Sequence, residues 1–222
     1  MNEEKKEAAV IFDCDGVMFD SRQANIHFYN HLLTHFGLGP MLPAEVDYVH
    51  MHTALESIRY IFRDTSHLEA AMAYWPEVDY APFMREMVME PGLRELLLLL
   101  KPQFGLAVAT NRSNTIKPVL ALNGIDQFFD IVVSSLDVKN PKPDPESLFK
   151  ILDFFNIGPL QTFYVGDSLV DYETAKGAGV PFIAYKNKRL DAVFHADHMM
   201  EIAERALPEL SLAKKRSQRE GR

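Results

Sequence analysis

The chain has 222 residues, 47% of them hydrophobic and 24% charged, proportions that exclude disordered, collagen-like and low-complexity classes. Its 31 Asp and Glu outnumber 23 Lys and Arg, a net charge of -8 that disfavours nucleic acid and anionic membranes as partners. A single cysteine, Cys14, excludes a disulfide framework and a multi-cysteine metal site.

In chain order, Met1–Glu7 is charged and has no apolar signal core, so a cytoplasmic location is expected. Ala9–Phe12 is a short apolar run that predicts a strand, and it runs directly into Asp13-Cys14-Asp15-Gly16-Val17. From Arg22 to Glu90 no convincing strand occurs. Ile26, Tyr29, Leu33 and Phe36 mark a helix stopped by Gly37, and Ala54–Phe62, His67–Tyr74 and Tyr80–Val88 predict further helices. The longest apolar run, Leu96–Leu100, is far below the roughly 20 residues that span a bilayer. Beyond it, strands are predicted at Leu106–Ala109, Ile131–Val133, Phe163–Val165 and Phe182–Tyr185. Helices are predicted between them at Asn114–Asn123, Pro145–Asn156 and Leu169–Ala178.

Strands alternating with helices predict an α/β fold, a doubly wound parallel sheet covered on both faces. Its residues would be 1–21 and 91–212, with 22–90 as a helical insert after the first strand. That insert contains six of the ten Met, the only Trp and six of the eight His, a composition that mostly serves packing. Ala213–Arg222 has five Lys and Arg against Glu220 and reads as a disordered, solvated tail.

In open parallel α/β sheets, ligands bind at the carboxyl ends of the strands. The first strand ends in Asp13 and Asp15, two carboxylates that repel unless a cation or a shared proton holds them. The second ends in Thr110-Asn111, a hydroxyl and an amide before a helix start with free N–H groups. Lys142 follows the third strand in Lys142-Pro143-Asp144-Pro145. The fourth ends in Gly166-Asp167-Ser168, with Asp171 in the first turn of the next helix. Each could singly be a cap or a surface residue. Four such sites at successive strand ends are hard to explain as independent caps.

This ordered set resembles the haloacid dehalogenase superfamily of hydrolases, over nearly all of residues 8–205. Phe19-Asp20-Ser21 and Ala175-Lys176-Gly177-Ala178-Gly179 fit as well. The insert resembles the α-helical cap of the phosphoglycolate phosphatase and β-phosphoglucomutase branch. The resemblance implies a Rossmann-like core with a mobile cap, Mg²⁺ as cofactor and a small phosphorylated metabolite as substrate. It implies Asp13 as nucleophile and Asp15 as general acid and base. The metal would be held by Asp13, the Asp15 carbonyl and Asp167, with Asp171 in support. Lys142, the Thr110 hydroxyl and the Asn111 N–H would bind the phosphoryl oxygens.

Asp15 argues against dehalogenation, because that branch implies a non-acidic residue there. The absence of Lys between Arg22 and Glu90 argues against phosphonate cleavage. Asn25 and Ala54 stand where sugar-phosphate mutases of this kind have His and Arg. A phosphomonoesterase is therefore favoured, nearest in description to phosphoglycolate phosphatase. A mutase-like phosphotransferase and a silent phosphometabolite-binding protein are the alternatives.

Four further features are read beside those motif roles. His27, His31 and His35 share one helix stripe, without nearby acidic residues, and read as a solvated or partly packed face rather than a metal site. His50, His52 and Thr53 are candidates for a loop of the insert that closes over the substrate. Cys14, between two carboxylates, should be a poorly reactive thiol. Gly16–Arg22 and Met87–Gly92 are candidate hinges.

Overall fold

A computed structural model describes residues 6–205 and 208–209. The central strand is β1 (Ala9–Phe12), every residue of it buried. A two-residue strand, β2 (Phe19–Asp20), leads into the helices α1 (Arg22–His35), α2 (Pro43–Met51), α3 (Ala54–Ile61), α4 (Leu68–Tyr74) and α5 (Ala81–Met84). The chain returns through β3 (Val88–Met89) and α6 (Leu93–Leu100). It then alternates regularly through β4 (Gly105–Ala109), α7 (Ile116–Leu122), β5 (Ile131–Val133), α8 (Glu146–Phe155), β6 (Thr162–Gly166), α9 (Leu169–Ala178), β7 (Phe182–Tyr185) and β8 (Phe194–Ala196).

The six long-range strands form one parallel sheet in the order β5-β4-β1-β6-β7-β8. The period of two along a strand divides the core between its faces. Val10 and Phe12 join one apolar cluster with Leu93, Leu97 and Val119 of α6 and α7. Ala9 and Ile11 join another with Leu148, Ile151 and Ala175 of α8 and α9. Helices therefore cover both faces, and the near-continuous apolar character of β1, β4 and β6 follows from burial on two sides. The insert has its own cluster, including Phe28, Leu32, Ile58 and Phe62. No described helix is long and apolar enough to cross a membrane.

Several element bounds depart from the periodicity. Tyr80–Val88 is helical only over Ala81–Met84, because Val88 and Met89 are extended and pair antiparallel with Asp20 and Phe19. The two crossings into and out of the insert thus form a ribbon, whose partner strands lie far apart in sequence. Pro43–Met51, with Pro at its first turn, is a helix that the apolar spacing did not mark. The edge strand β8 is only half-buried and lacks a long apolar run. In α1 the buried residues are Ala24, Phe28, Tyr29, Leu32 and Leu33, with Ile26 and Phe36 at the margin of the cluster. The basic segment 213–222 lies outside the described residues.

Candidate active site

Parallel register aligns the strand ends on one edge. Phe12 is opposite both Val108 and Val165, so Asp13, Thr110 and Asp167 follow from neighbouring strands. Backbone bonds fix them: Asp13 N–H donates to Val165 O at 2.9 Å, and Thr110 N–H to Val133 O at 3.0 Å. Gly16 turns the chain after the two carboxylates with φ +75°, and a Cβ there would overlap the Asp167 carboxylate. Only glycine meets both demands.

Lys142 is the hub beneath this edge. Its Nζ donates to Asp13 Oδ1 at 2.8 Å, to Asp171 Oδ1 at 2.7 Å and to the Tyr164 hydroxyl at 2.9 Å. Its backbone N–H donates to Asn111 Oδ1 at 3.0 Å, and Asn111 Nδ2 donates to Lys142 O at 3.0 Å. Burial disfavours the ammonium, but Asp13 and Asp171 more than offset this and raise its pKa. Asp171 is completely buried. Burial opposes its ionisation, yet Lys142 and the donors around it hold its carboxyl below the ordinary value. Tyr164 donates to Asp171 Oδ1 at 2.7 Å, and Ser168 N–H and Oγ donate to Oδ2 at 3.1 and 2.5 Å. The Ser168–Asp171 exchange is also the capping box of α9.

The remaining carboxylates are less satisfied. Burial, then Asp171, raises Asp13 to about 7 against the pull of Lys142. Burial, with Asp171 and Asp13, pushes Asp167 well above the ordinary value. Among the described residues no donor reaches the Asp167 carboxylate or Asp13 Oδ2. Carboxylate oxygens of Asp13, Asp167 and Asp171 lie within 4.8 Å of one another. An all-oxygen set, buried at Asp13 and Asp171 and half-buried at Asp167, with unpaired lone pairs on Asp13 and Asp167, is the chemistry that a hard divalent cation satisfies.

A cavity of about 490 Å³ opens above these residues, walled by the core at Asp13, Thr110 and Lys142 and by the insert at His50, Trp75 and Tyr80. Insert and core touch directly, since Asn111 Nδ2 also donates to Met51 O at 3.2 Å. The Asn111 N–H has no acceptor among the described residues. The structure thus brings together Asp13, Asp15, Thr110, Asn111, Lys142, Asp167 and Asp171.

The insert residues separate. His50 lines the cavity and bonds to Asn25 Nδ2 at 3.3 Å, and burial holds its pKa below the ordinary value despite Asp15. His52 lies on the cavity margin, stacked on Tyr48 at 3.8 Å. Thr53 instead caps α3, accepting from Glu56 N–H at 3.2 Å. On the histidine stripe, His35 stacks on Tyr74 and His31 tilts against Phe83. An acidic neighbour does reach the stripe: Glu86, from beyond α5, lies 2.5 Å from His27 Nδ1. Cys14 is buried, and burial followed by Asp15 raises its thiol pKa well above the ordinary value.

Two site residues escaped the reading of the sequence. Tyr164 sits in an apolar strand, where nothing marks its hydroxyl as polar anchor. Arg112 follows Thr110-Asn111 directly, and its adjacency was the available signal. It clamps Asp15 with Nε to Oδ2 and Nη2 to Oδ1, both 2.7 Å. Ser21 Oγ also donates to Asp15 Oδ1. Burial would raise the Asp15 pKa, but the guanidinium more than compensates and lowers it.

The family model described as haloacid dehalogenase-like hydrolase matches residues 10–185. The chain belongs to this family. A solved structure of a family hydrolase from Geobacter sulfurreducens is 40% identical, with a TM-score of 0.79, covering 89% of this chain and 98% of the other. A pyrophosphatase named PpaX from Bacillus velezensis is 29% identical over 89% of this chain and 94% of its own length. A phosphoglycolate phosphatase from Cupriavidus necator is 28% identical over 91% of this chain and 92% of its own. Family membership accounts for the doubly wound sheet and for the helical insert after its first strand.

Proposed function

We propose that the protein is a Mg²⁺-dependent phosphatase that hydrolyses a small phosphomonoester through an aspartyl-phosphate on Asp13. The observation that carries this reading is the hub at Lys142. It holds one oxygen of Asp13 and leaves the other open, beside a half-buried Asp167 without donors among the described residues. Relatives named as phosphatases and pyrophosphatases support phosphoryl hydrolysis over other family chemistry.

Asp13 and Asp167 would hold the metal with the Asp15 carbonyl. Asp171, whose oxygens are all engaged, positions Lys142 and the first turn of α9. When bound, Mg²⁺ neutralises charge on the carboxylates and on the transferring phosphoryl group. Asp13 Oδ2 attacks phosphorus, and the bond from phosphorus to the ester oxygen breaks. Asp15 gives the departing alkoxide a proton. It then takes a proton from a water that attacks the same phosphorus, breaking the bond to Asp13 and releasing phosphate. The Thr110 hydroxyl, the Asn111 N–H and Lys142 bind the phosphoryl oxygens, whose charge is spread in the transition state. Residues 22–90 act as a cap, closing on Gly16–Arg22 and Met87–Gly92 to exclude water from Asp13.

Phosphate release from a panel of small phosphorylated metabolites, with and without Mg²⁺, tests the proposal against Asp13→Asn. Metal-dependent release that the substitution abolishes is expected. Release that survives either change would overturn it. Interconversion of a hexose 1-phosphate without phosphate release would instead favour a mutase.

A further inference from the structure

Arg112 uses all five of its N–H groups. Besides the two bonds to Asp15, Nη2 donates to Asn25 Oδ1 at 3.4 Å, and Nη1 to the Tyr80 hydroxyl at 3.2 Å and Thr115 Oγ1 at 3.3 Å. Asn25 and Tyr80 belong to the insert, and Tyr80 is seated there edge-on against Phe28 at 4.9 Å. The guanidinium therefore bridges core and insert on the cavity wall, with its side chain 7% exposed.

This clamp conflicts with proton transfer. A general acid needs an oxygen about 2.6–3.2 Å from the leaving-group atom. Both oxygens of Asp15 face the guanidinium, and Ser21 adds a donor to Oδ1. Asp15 must leave Arg112 to serve the ester oxygen. A buried guanidinium stripped of its carboxylate is strongly unfavourable, so another anion must replace it. Lys142 cannot attract that anion to the organic part of the cavity, because Asp13 and Asp171 already hold it. Among the described residues lining the cavity, Arg112 is the other permanent cation.

We propose that Arg112 is the specificity residue: it exchanges Asp15 for a second anionic group on the substrate, and the freed Asp15 takes up a proton from solvent and carries it to the ester oxygen. The preferred substrates are then phosphomonoesters with a carboxylate or phosphoryl group close to the ester. A neutral polyol phosphate leaves the clamp shut. Planar carboxylate and phosphoryl groups both suit the guanidinium fork. The inference rests on the phosphatase reading above and adds the substrate class and the gate.

The test compares 2-phosphoglycolate with 2-hydroxyethyl phosphate, which replaces the carboxylate by a neutral alcohol. The wild-type protein should favour the carboxylated ester by about 100-fold in kcat/KM, with kcat as well as KM contributing, because a closed clamp withholds the acid. Arg112→Leu should collapse that ratio toward one, and Arg112→Lys should lie between. A wild-type ratio near one overturns the inference without any variant, and leaves the phosphatase reading standing. So does an Arg112→Leu protein that keeps the ratio or loses both esters by one factor. Failure to hydrolyse any phosphoester overturns both readings together.

Discussion

At Asp13, Asp15, Asp167 and Asp171 four carboxylates share a largely shielded edge with two permanent cations, Lys142 and Arg112. Removing Lys142 leaves Asp13 and Asp171 facing each other without compensation. Lys142→Met should therefore destabilise the fold by about 3–5 kcal/mol, read as a shift in urea unfolding, and should end turnover. An unfolding midpoint equal to the parent's would refute the hub. Gly16→Ala should weaken metal binding, measured by Mg²⁺ titration, because its Cβ displaces the Asp167 carboxylate and its φ is +75°. At this scale the residues at strand ends were legible, because chemistry-bearing types recur where the alternation stops. Arg112 and Tyr164 were not. Arg112 adjoins Thr110-Asn111, but nothing in the sequence pairs it with Asp15, and the Tyr164 hydroxyl lies in an apolar run that marks only a strand.

The elements behave according to how local their causes are. Strands β1, β4, β6 and β7 are buried on both faces, so their apolar runs announce them. The β2–β3 ribbon has two residues a side, and each half exists through a partner almost seventy residues away. No local pattern can mark it, which is why Val88 reads as the end of a helix. The capping box at α9 was visible as Ser168 three residues before Asp171, yet it serves more than the helix, since the same exchange orients Asp171 toward Lys142. Ser168→Ala should cost about 1 kcal/mol of stability as a lost cap and also lower kcat. A variant with the stability loss but full turnover would show that Asp171 needs no help from the helix end.

Over the whole molecule, the acidic balance of -8 acquires a use at the site. Burial and neighbouring carboxylates raise Asp13 to about 7 from its ordinary 3.8, and raise Asp167 in the same direction. A raised carboxyl holds its proton when folded and gives it up when unfolded. Stability of the cation-free protein should therefore fall as pH rises from about 4 through about 7. A divalent cation competes with those protons, so Mg²⁺ should raise Tm more at about pH 7.5 than at about pH 5. A pH-independent rise would remove Asp13 and Asp167 as ligands. The helical insert completes the cavity over this charge, a role its Met- and His-rich composition did not reveal on its own.

In the proposed reaction Asp13 accepts the phosphoryl group. Turnover of a ³²P-labelled phosphoester with Mg²⁺, quenched in acid and mapped by peptide, addresses it most directly. The label is predicted on the peptide containing Asp13, lost when unlabelled substrate is chased through the enzyme, and absent from Asp13→Asn. Phosphate release by the parent protein with no label on Asp13, or with label on another residue, would contradict it.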